Sequence, residues 1–249
     1  MTLEVIHVTN LSQYNACPYL FSQPQKPLHP EITYRWDILN VAVTSSGLLS
    51  PFIKWFAKNM RFDMKEVHIM KEIYEWARKK MWELRAKHEQ VYQEAKMLYK
   101  YNDDTYVIWT PDIFYYDEER KLRCIRDWKF SVHSWYWNPD VVKYDMQPVI
   151  YPLMVMEYMD VKEAEFAFRC YDKKSGKLWE FVYHITYDEA KKRTDKVIEE
   201  YLASKDFGDY ECRPCNKCNG MCDLRKQNKC PLYKLEKKVE EKVDDFLDF

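Results

Sequence analysis

From Asp63 to about Tyr101, apolar residues recur at steps of three and four: Val67, Met70, Tyr74, Ala77, Met81, Leu84, Val91, Ala95 and Leu98, with His88 on the same stripe. Lys, Arg and Glu fill the other faces, so the period predicts one long amphipathic helix. Residues 105–116 and 121–131 are rich in Tyr, Ile, Phe and Trp and predict two strands, with Asp117 to Arg120 as their turn. EAEFAFRCYD (163–172) and KLWEFVYHITYD (177–188) predict a second pair around Ser175-Gly176. Between the pairs, a helical stretch is expected from Asn138-Pro139-Asp140 to Asp160, interrupted by Pro148 and Pro152. A charged helix follows from about Tyr187 to Ala203. The first 31 residues suggest a short strand, a helix beginning at Ser12 and a loop containing Pro24, Pro27 and Pro30. Residues 32–62 are mixed and mostly helical by composition. A last amphipathic helix, 231–249, carries Leu232, Leu235, Val239, Val243 and Phe246. No internal repeat is present. The order of elements predicts an α/β (α+β) core with antiparallel strands.

Length sharpens this picture. At 249 residues the chain suits one domain with an appendage. We divide it into an N-terminal segment (1–62), a core (63–205) and a cysteine-rich C-terminal segment (206–249). Hydrophobic residues make up 47 %, enough for a sizeable core. The 20 Tyr and 9 Trp serve packing first and give only a modest push toward stacking on nucleobases. With 39 basic and 40 acidic residues the net charge is −1. That disfavours a protein that coats DNA, but not an enzyme that meets a phosphate backbone in a local groove. No segment approaches the ~20 apolar residues of a membrane span, and the N-terminus lacks the pattern of a secretory signal. A cytoplasmic, intracellular location is therefore expected, where thiols stay reduced. Five of the eight cysteines fall between 212 and 230, which points to metal rather than disulfides.

The hairpin 108–131, IWTPDIFYYDEERKLRCIRDWKFS, carries charges that a sheet does not need. Residues on facing strands can meet across a hairpin, so Asp112 and Asp127 are candidates to converge. Two converging carboxylates suit a hard divalent cation such as Mg²⁺ or Mn²⁺. Asp127 and Lys129 are two apart and project to one side of a strand. A lysine beside a metal-bound water can orient that water or stabilise charge on a phosphate. The bland alternative, a solvated edge of charges, holds for most isolated Asp-x-Lys sequences.

Pro111-Asp112 followed by Asp127-Trp128-Lys129 on the next strand resembles the PD-(D/E)xK nuclease superfamily, in particular its RecB-like exonuclease branch. That branch has a Gln-x-x-x-Tyr motif on a following helix, and Gln147 and Tyr151 match it 18 residues after Lys129. The resemblance implies a restriction-endonuclease-like mixed sheet flanked by helices. It also implies that Gln147 and Tyr151 support the site and approach DNA. Pro148 is tolerable only in a first turn, so that helix is expected to start or kink around Gln147. An upstream histidine serves the branch as a further metal ligand; His68 is the best match and His88 the runner-up, more simply read as a core histidine. Glu94 is a candidate auxiliary acid, with a solvated helix face as the simpler reading.

Some members of the branch hold a [4Fe–4S] cluster with one N-terminal and three C-terminal cysteines. LSQYNACPYLF, with Cys17-Pro18, is similar to their entry segment. The resemblance then implies Cys17, Cys212, Cys215 and Cys222 as ligands, joining the two ends of the chain. The spacing from Cys215 to Cys222 departs from the family's by one residue, so Cys218 and Cys230 remain alternatives. Four C-terminal thiolates binding Zn²⁺ are the rival reading. Cys124 and Cys170 lie in strand-like runs and read as inert buried thiols.

The leading expectation is a metal-dependent DNA exonuclease acting on single strands or ends. Asp112, Asp127, His68 and the Trp128 carbonyl would hold Mg²⁺ or Mn²⁺, and Lys129 would position water. No phosphate-binding Gly-Lys-Ser/Thr loop is present, so the resemblance is to stand-alone nucleases of the branch, such as CRISPR-associated and viral or phage exonucleases. Two alternatives are a non-catalytic nucleic-acid-binding or assembly module that serves a protein partner, and a zinc-stabilised enzyme acting on another phosphate ester.

Overall fold

The computed structural model describes residues 3–23, 64–93, 95–131, 144–172, 177–214, 222, 224, 227 and 229–232. Its elements are β1 (Glu4–His7), α1 (Val8–Ala16), α2 (Pro18–Ser22), α3 (Met64–Lys87), β2 (Val91–Gln93), β3 (Met97–Lys100), β4 (Thr105–Trp109), β5 (Ile113–Asp117), β6 (Leu122–Ser131), α4 (Gln147–Met159), β7 (Glu163–Asp172), β8 (Lys177–Thr186) and α5 (Tyr187–Phe207). The expected α/β (α+β) class holds, with helices flanking two mixed sheets. One has strand order β1-β4-β3 and the other β2-β5-β6-β7-β8. In the second, β6 and β7 run parallel while the outer pairs are antiparallel. A parallel pair needs a crossover, and α4 lies on it.

α4 is the axis of the core. Every residue from Gln147 to Met156 is buried. It packs with Val8, Leu11 and Tyr14 of α1, Val107 and Trp109 of β4, Phe166 and Phe168 of β7, and Ile198 of α5. A helix apolar on all sides belongs inside a domain. It starts at Gln147, as expected from Pro148, whose missing N–H falls among the first-turn donors that lack intrahelical partners. α5 begins at Thr186, whose Oγ1 accepts the Glu189 N–H at 3.4 Å, and ends at Gly208 in the left-handed region (φ 67°).

Three expectations need correction. The helix predicted over Asp63 to Tyr101 stops at Lys87, because residues 91–100 form β2 and β3. The apolar stripe ran on by coincidence: in β3 Met97 and Tyr99 are buried and Leu98 is exposed, a period of two rather than 3.6. The N-terminal helix begins at Val8 rather than Ser12, which lies inside it. The strand expected over 105–116 is two strands in two different sheets. The chain changes sheets at Thr110-Pro111-Asp112, where proline supplies no N–H to a ladder. The Pro-rich loop, 32–62, most of the segment before Gln147, the Ser175-Gly176 turn and the last helix beyond Leu232 lie outside the described residues.

Candidate active site

β6 alternates between two environments. Ile125, Asp127 and Lys129 project to the face that α4 covers, whereas Cys124, Arg126 and Trp128 project to the other. On the outer face, Arg126 meets Glu165 at 2.5 Å, Arg120 contacts the same carboxylate and His184 lies 3.4 Å from it. Burial alone would raise the Glu165 pKa, but the two guanidinium groups outweigh it and pull it down to about 2. The Trp76 ring of α3 meets Trp128 edge-on at 4.6 Å on this face.

The inner face is apolar except at one end. There Asp127 and Lys129 are only 5 % and 6 % exposed, and the Lys129 Nζ lies 2.5 Å from Asp127 Oδ2. Such a pair costs desolvation that hydrophobic residues of similar volume would avoid, so a structural role is a poor reason for it. Oδ2 is taken up by the Lys129 ammonium, whereas the buried Gln147 Oε1 has no hydrogen-bond donor among the described residues. Asp112 sits one step beyond the last β5–β6 pair, Ile113 with Arg126, which places it opposite Asp127. Its Oδ2 accepts the Trp128 main-chain N–H at 2.7 Å. Where β5 has ended, a side-chain carboxylate takes the place of a strand carbonyl.

α4 delivers Gln147 and Tyr151 to this end of the sheet, with Gln147 hydrogen-bonded to the Tyr151 hydroxyl. Burial, followed by the charges of Asp127, Asp145 and Asp112, raises the Tyr151 pKa well above its ordinary value, so the phenol stays protonated. Burial opposes charge on Lys129, but Asp127, Asp145 and Asp112 outweigh it and hold its pKa up. Burial also raises Asp127, against the pull of Lys129.

Asp145 is the site residue that sequence reading missed. Its Oδ1 accepts from the Ser12 hydroxyl at 2.9 Å and from the Gln147 N–H at 2.9 Å. Ser12 Oγ accepts the Met146 N–H at 3.1 Å, and Asn15 Nδ2 donates to the Tyr144 carbonyl at 2.9 Å. One face of α1 thus clamps the entry to α4. An Asp two positions before a helix is a usable local signal, since such residues bond their own main chain. Its neighbours Ser12 and Asp127 could not be read from spacing.

The other expected ligands divide. His68 lies in α3, with its side chain outside the described residues, as is Glu94. His88 is buried, 2.9 Å from Glu118 Oε2 and against the Tyr115 ring, a core histidine. Asp112 and Asp127 supply the oxygen chemistry that Mg²⁺ or Mn²⁺ takes. Among the described residues no group of three His, Cys, Asp or Glu is arranged to hold a metal ion.

The N-terminal helices meet the end of α5 and the start of the cysteine-rich segment. The Tyr19 N–H donates to the Glu211 carbonyl at 3.0 Å, and the Tyr14 hydroxyl to the Glu200 carbonyl at 2.9 Å. Cys212 Sγ lies 3.8 Å from Cys230 Sγ. Burial first, then Cys17 and Cys230, push the Cys212 thiol up to about 12. Cys17 and the alternative ligand Cys230 are therefore neighbours of Cys212. Cys222 is buried, and Cys215 and Cys218 lie outside the described residues. Cys124 and Cys170 are buried thiols in β6 and β7, as expected.

Among the described residues no helix is long and apolar enough to cross a membrane. No known family profile matches the chain. No curated protein matches it either. Among solved structures it is similar to a candidate exonuclease from Eubacterium rectale, at 15 % identity over 88 % of this chain and 87 % of that one, with a TM-score of 0.51. It also matches SSO0001 at 13 % identity over 80 % of this chain and 76 % of that one, with a TM-score of 0.41. The first is a likeness of fold.

Proposed function

We propose that the chain is a metal-dependent nuclease, an exonuclease that hydrolyses phosphodiester bonds of DNA at single strands or ends. The observation that carries this reading is the Asp127–Lys129 ion pair, buried on an apolar sheet face with Asp112 held opposite. The likeness in fold to a candidate exonuclease is consistent with it.

Asp112 and Asp127 would hold Mg²⁺ or Mn²⁺, with the Trp128 carbonyl and His68 as further ligands. When bound, the cation supplies charge neutralisation at the phosphate and lowers the pKa of water. Lys129 orients the attacking water, and its ammonium faces the negative charge that grows on the phosphate oxygens. Water adds to phosphorus and gives up a proton to solvent, the bond to the leaving sugar oxygen breaks, and that oxygen takes a proton back from solvent. Tyr151, kept neutral by its buried surroundings, can donate a hydrogen bond, and Gln147 holds its hydroxyl. The paired cysteines at the chain ends are a structural staple on this reading, binding a [4Fe–4S] cluster or Zn²⁺. Cys212 and Cys230, 3.8 Å apart, stand close enough for both thiolates to hold one metal ion.

The test is degradation of end-labelled single-stranded DNA with Mn²⁺, comparing the wild type with Lys129→Met. Loss of wild-type activity in a folded variant is expected. Equal background in both, with DNA binding that persists without divalent metal, would instead favour a non-catalytic binding module.

A further inference from the structure

We propose that a cleft of about 510 Å³ beside the carboxylate centre is a nucleotide subsite, which holds an unpaired nucleotide of the DNA strand next to the one being cleaved. The proposal deepens the nuclease reading and rests on it for the identity of the ligand.

The cleft adjoins the centre through one aromatic wall. Trp109 and Tyr151 both line it, stacked with ring centroids 3.4 Å apart and planes 17° from parallel. Tyr151 lies one turn along α4 from Gln147, whose N–H bonds Asp145, so one helix leads from the cleft to the centre. Thr110, another wall residue, precedes Asp112 by two positions where the chain changes sheets. A strand whose phosphate reaches Asp112 therefore has the cleft beside it.

The lining has the chemistry of a nucleotide. Lys96, His7 and Thr9 are exposed around the cleft, and none of its described lining residues is a carboxylate. Trp109 and Leu98 add apolar surface, and Leu98 is 62 % exposed, an open patch that a base would cover. The volume lies within the ~300–1,000 Å³ of small-ligand sites. Trp109 is 8 % exposed and Tyr151 3 %, so a base lays its π-face on Leu98 and the exposed edge of Trp109, under a basic rim that takes its phosphate with little sequence preference. A base paired in a duplex does not offer that face, so the cleft selects single-stranded DNA. A neighbouring cleft of about 550 Å³ shares Lys96 and Leu98 but includes Glu157, whose charge opposes a phosphate.

The test uses the full chain and the exposed residue Lys96, which takes no part in the proposed chemistry. Binding of a labelled short oligothymidylate is measured by anisotropy across a salt series, with Ca²⁺ replacing Mn²⁺. Cleavage of thymidine 5′-(p-nitrophenyl phosphate), too small to fill both sites, is measured in parallel. Lys96→Ala is expected to weaken oligonucleotide binding about tenfold and to lower the slope of log K against log salt by about 0.7, the share of one single-strand phosphate contact. Lys96→Glu should weaken it further, while both variants cleave the small ester as the wild type does. Unchanged affinity and slope in both variants, or no oligonucleotide binding by the wild type, would overturn the subsite whatever the ester shows. Lys96-dependent binding with no cleavage of either substrate would leave the subsite standing and sink the nuclease reading.

Discussion

The carboxylate of Asp112 accepts the main-chain N–H of Trp128 at 2.7 Å, tying the corner between two sheets to the middle of β6. Asp112 is thereby held opposite Asp127, although the two are 15 apart in sequence. Asp112→Asn keeps an oxygen for that hydrogen bond and removes the charge. We expect it to remain folded while DNA cleavage falls by at least a hundredfold; wild-type turnover in this variant would remove Asp112 from the chemistry.

The buried pair separates stability from activity. Removing one partner leaves the other charged and unpaired, which costs about 3–5 kcal/mol for a pair this enclosed. Lys129→Ala and Asp127→Ala should therefore melt lower as well as lose cleavage. The double variant Asp127→Asn with Lys129→Met should recover most of the melting temperature and none of the activity. Recovery of cleavage in the double variant would show that the pair has no catalytic part.

Asp145 can be tested through its two bonds. Asp145→Asn retains an acceptor for Ser12 and the Gln147 N–H but loses a charge beside Lys129. It should lower cleavage about tenfold with little change in melting. Ser12→Ala deletes two hydrogen bonds between α1 and the start of α4, to Asp145 and from the Met146 N–H, and should cost about 1–3 kcal/mol. If Asp145→Asn cleaves DNA normally, the residue only caps α4.

On the outer face, Glu165 has a pKa lowered to about 2, so it favours folding wherever it is ionised in both states. That contribution is complete above the carboxylate's ordinary range and is lost as pH falls toward about 2. Glu165→Gln should melt well below the wild type near neutral pH. The gap should narrow as pH drops from about 5 to about 3. A gap that stays constant with pH would show that packing, not charge, explains the loss.

The staple predicts metal in the protein as isolated. Elemental analysis should find iron with sulfide or zinc, and Cys17→Ser and Cys212→Ser should each lose it and lower the melting temperature. A protein free of both metals, with unaltered melting in the serine variants, would reduce the cysteines to a packed thiol cluster.

Local patterns determined a good deal of this protein. The period of two in residues 163–172 and 177–186, the Thr186 cap and the first-turn tolerance of Pro148 are properties of neighbouring residues, and β7, β8, α5 and the start of α4 follow from them. Asp127 and Lys129 share a face for the same reason, because alternation along a strand is local. Tertiary structure decided what depends on distant partners. The stripe from Met64 to Leu98 broke at Lys87 because a half-buried strand can imitate a helical step over a few residues, and pairing on β4 and β5 settled the choice. Thr110 to Asp112 became a corner because two sheets compete for the same chain. Asp145 entered the site because Ser12, 133 positions away, fixes it beside α4. Cys17 reached Cys212 only because α1 and α2 pack near the end of α5, an arrangement set by the shared core and not by any spacing along the chain.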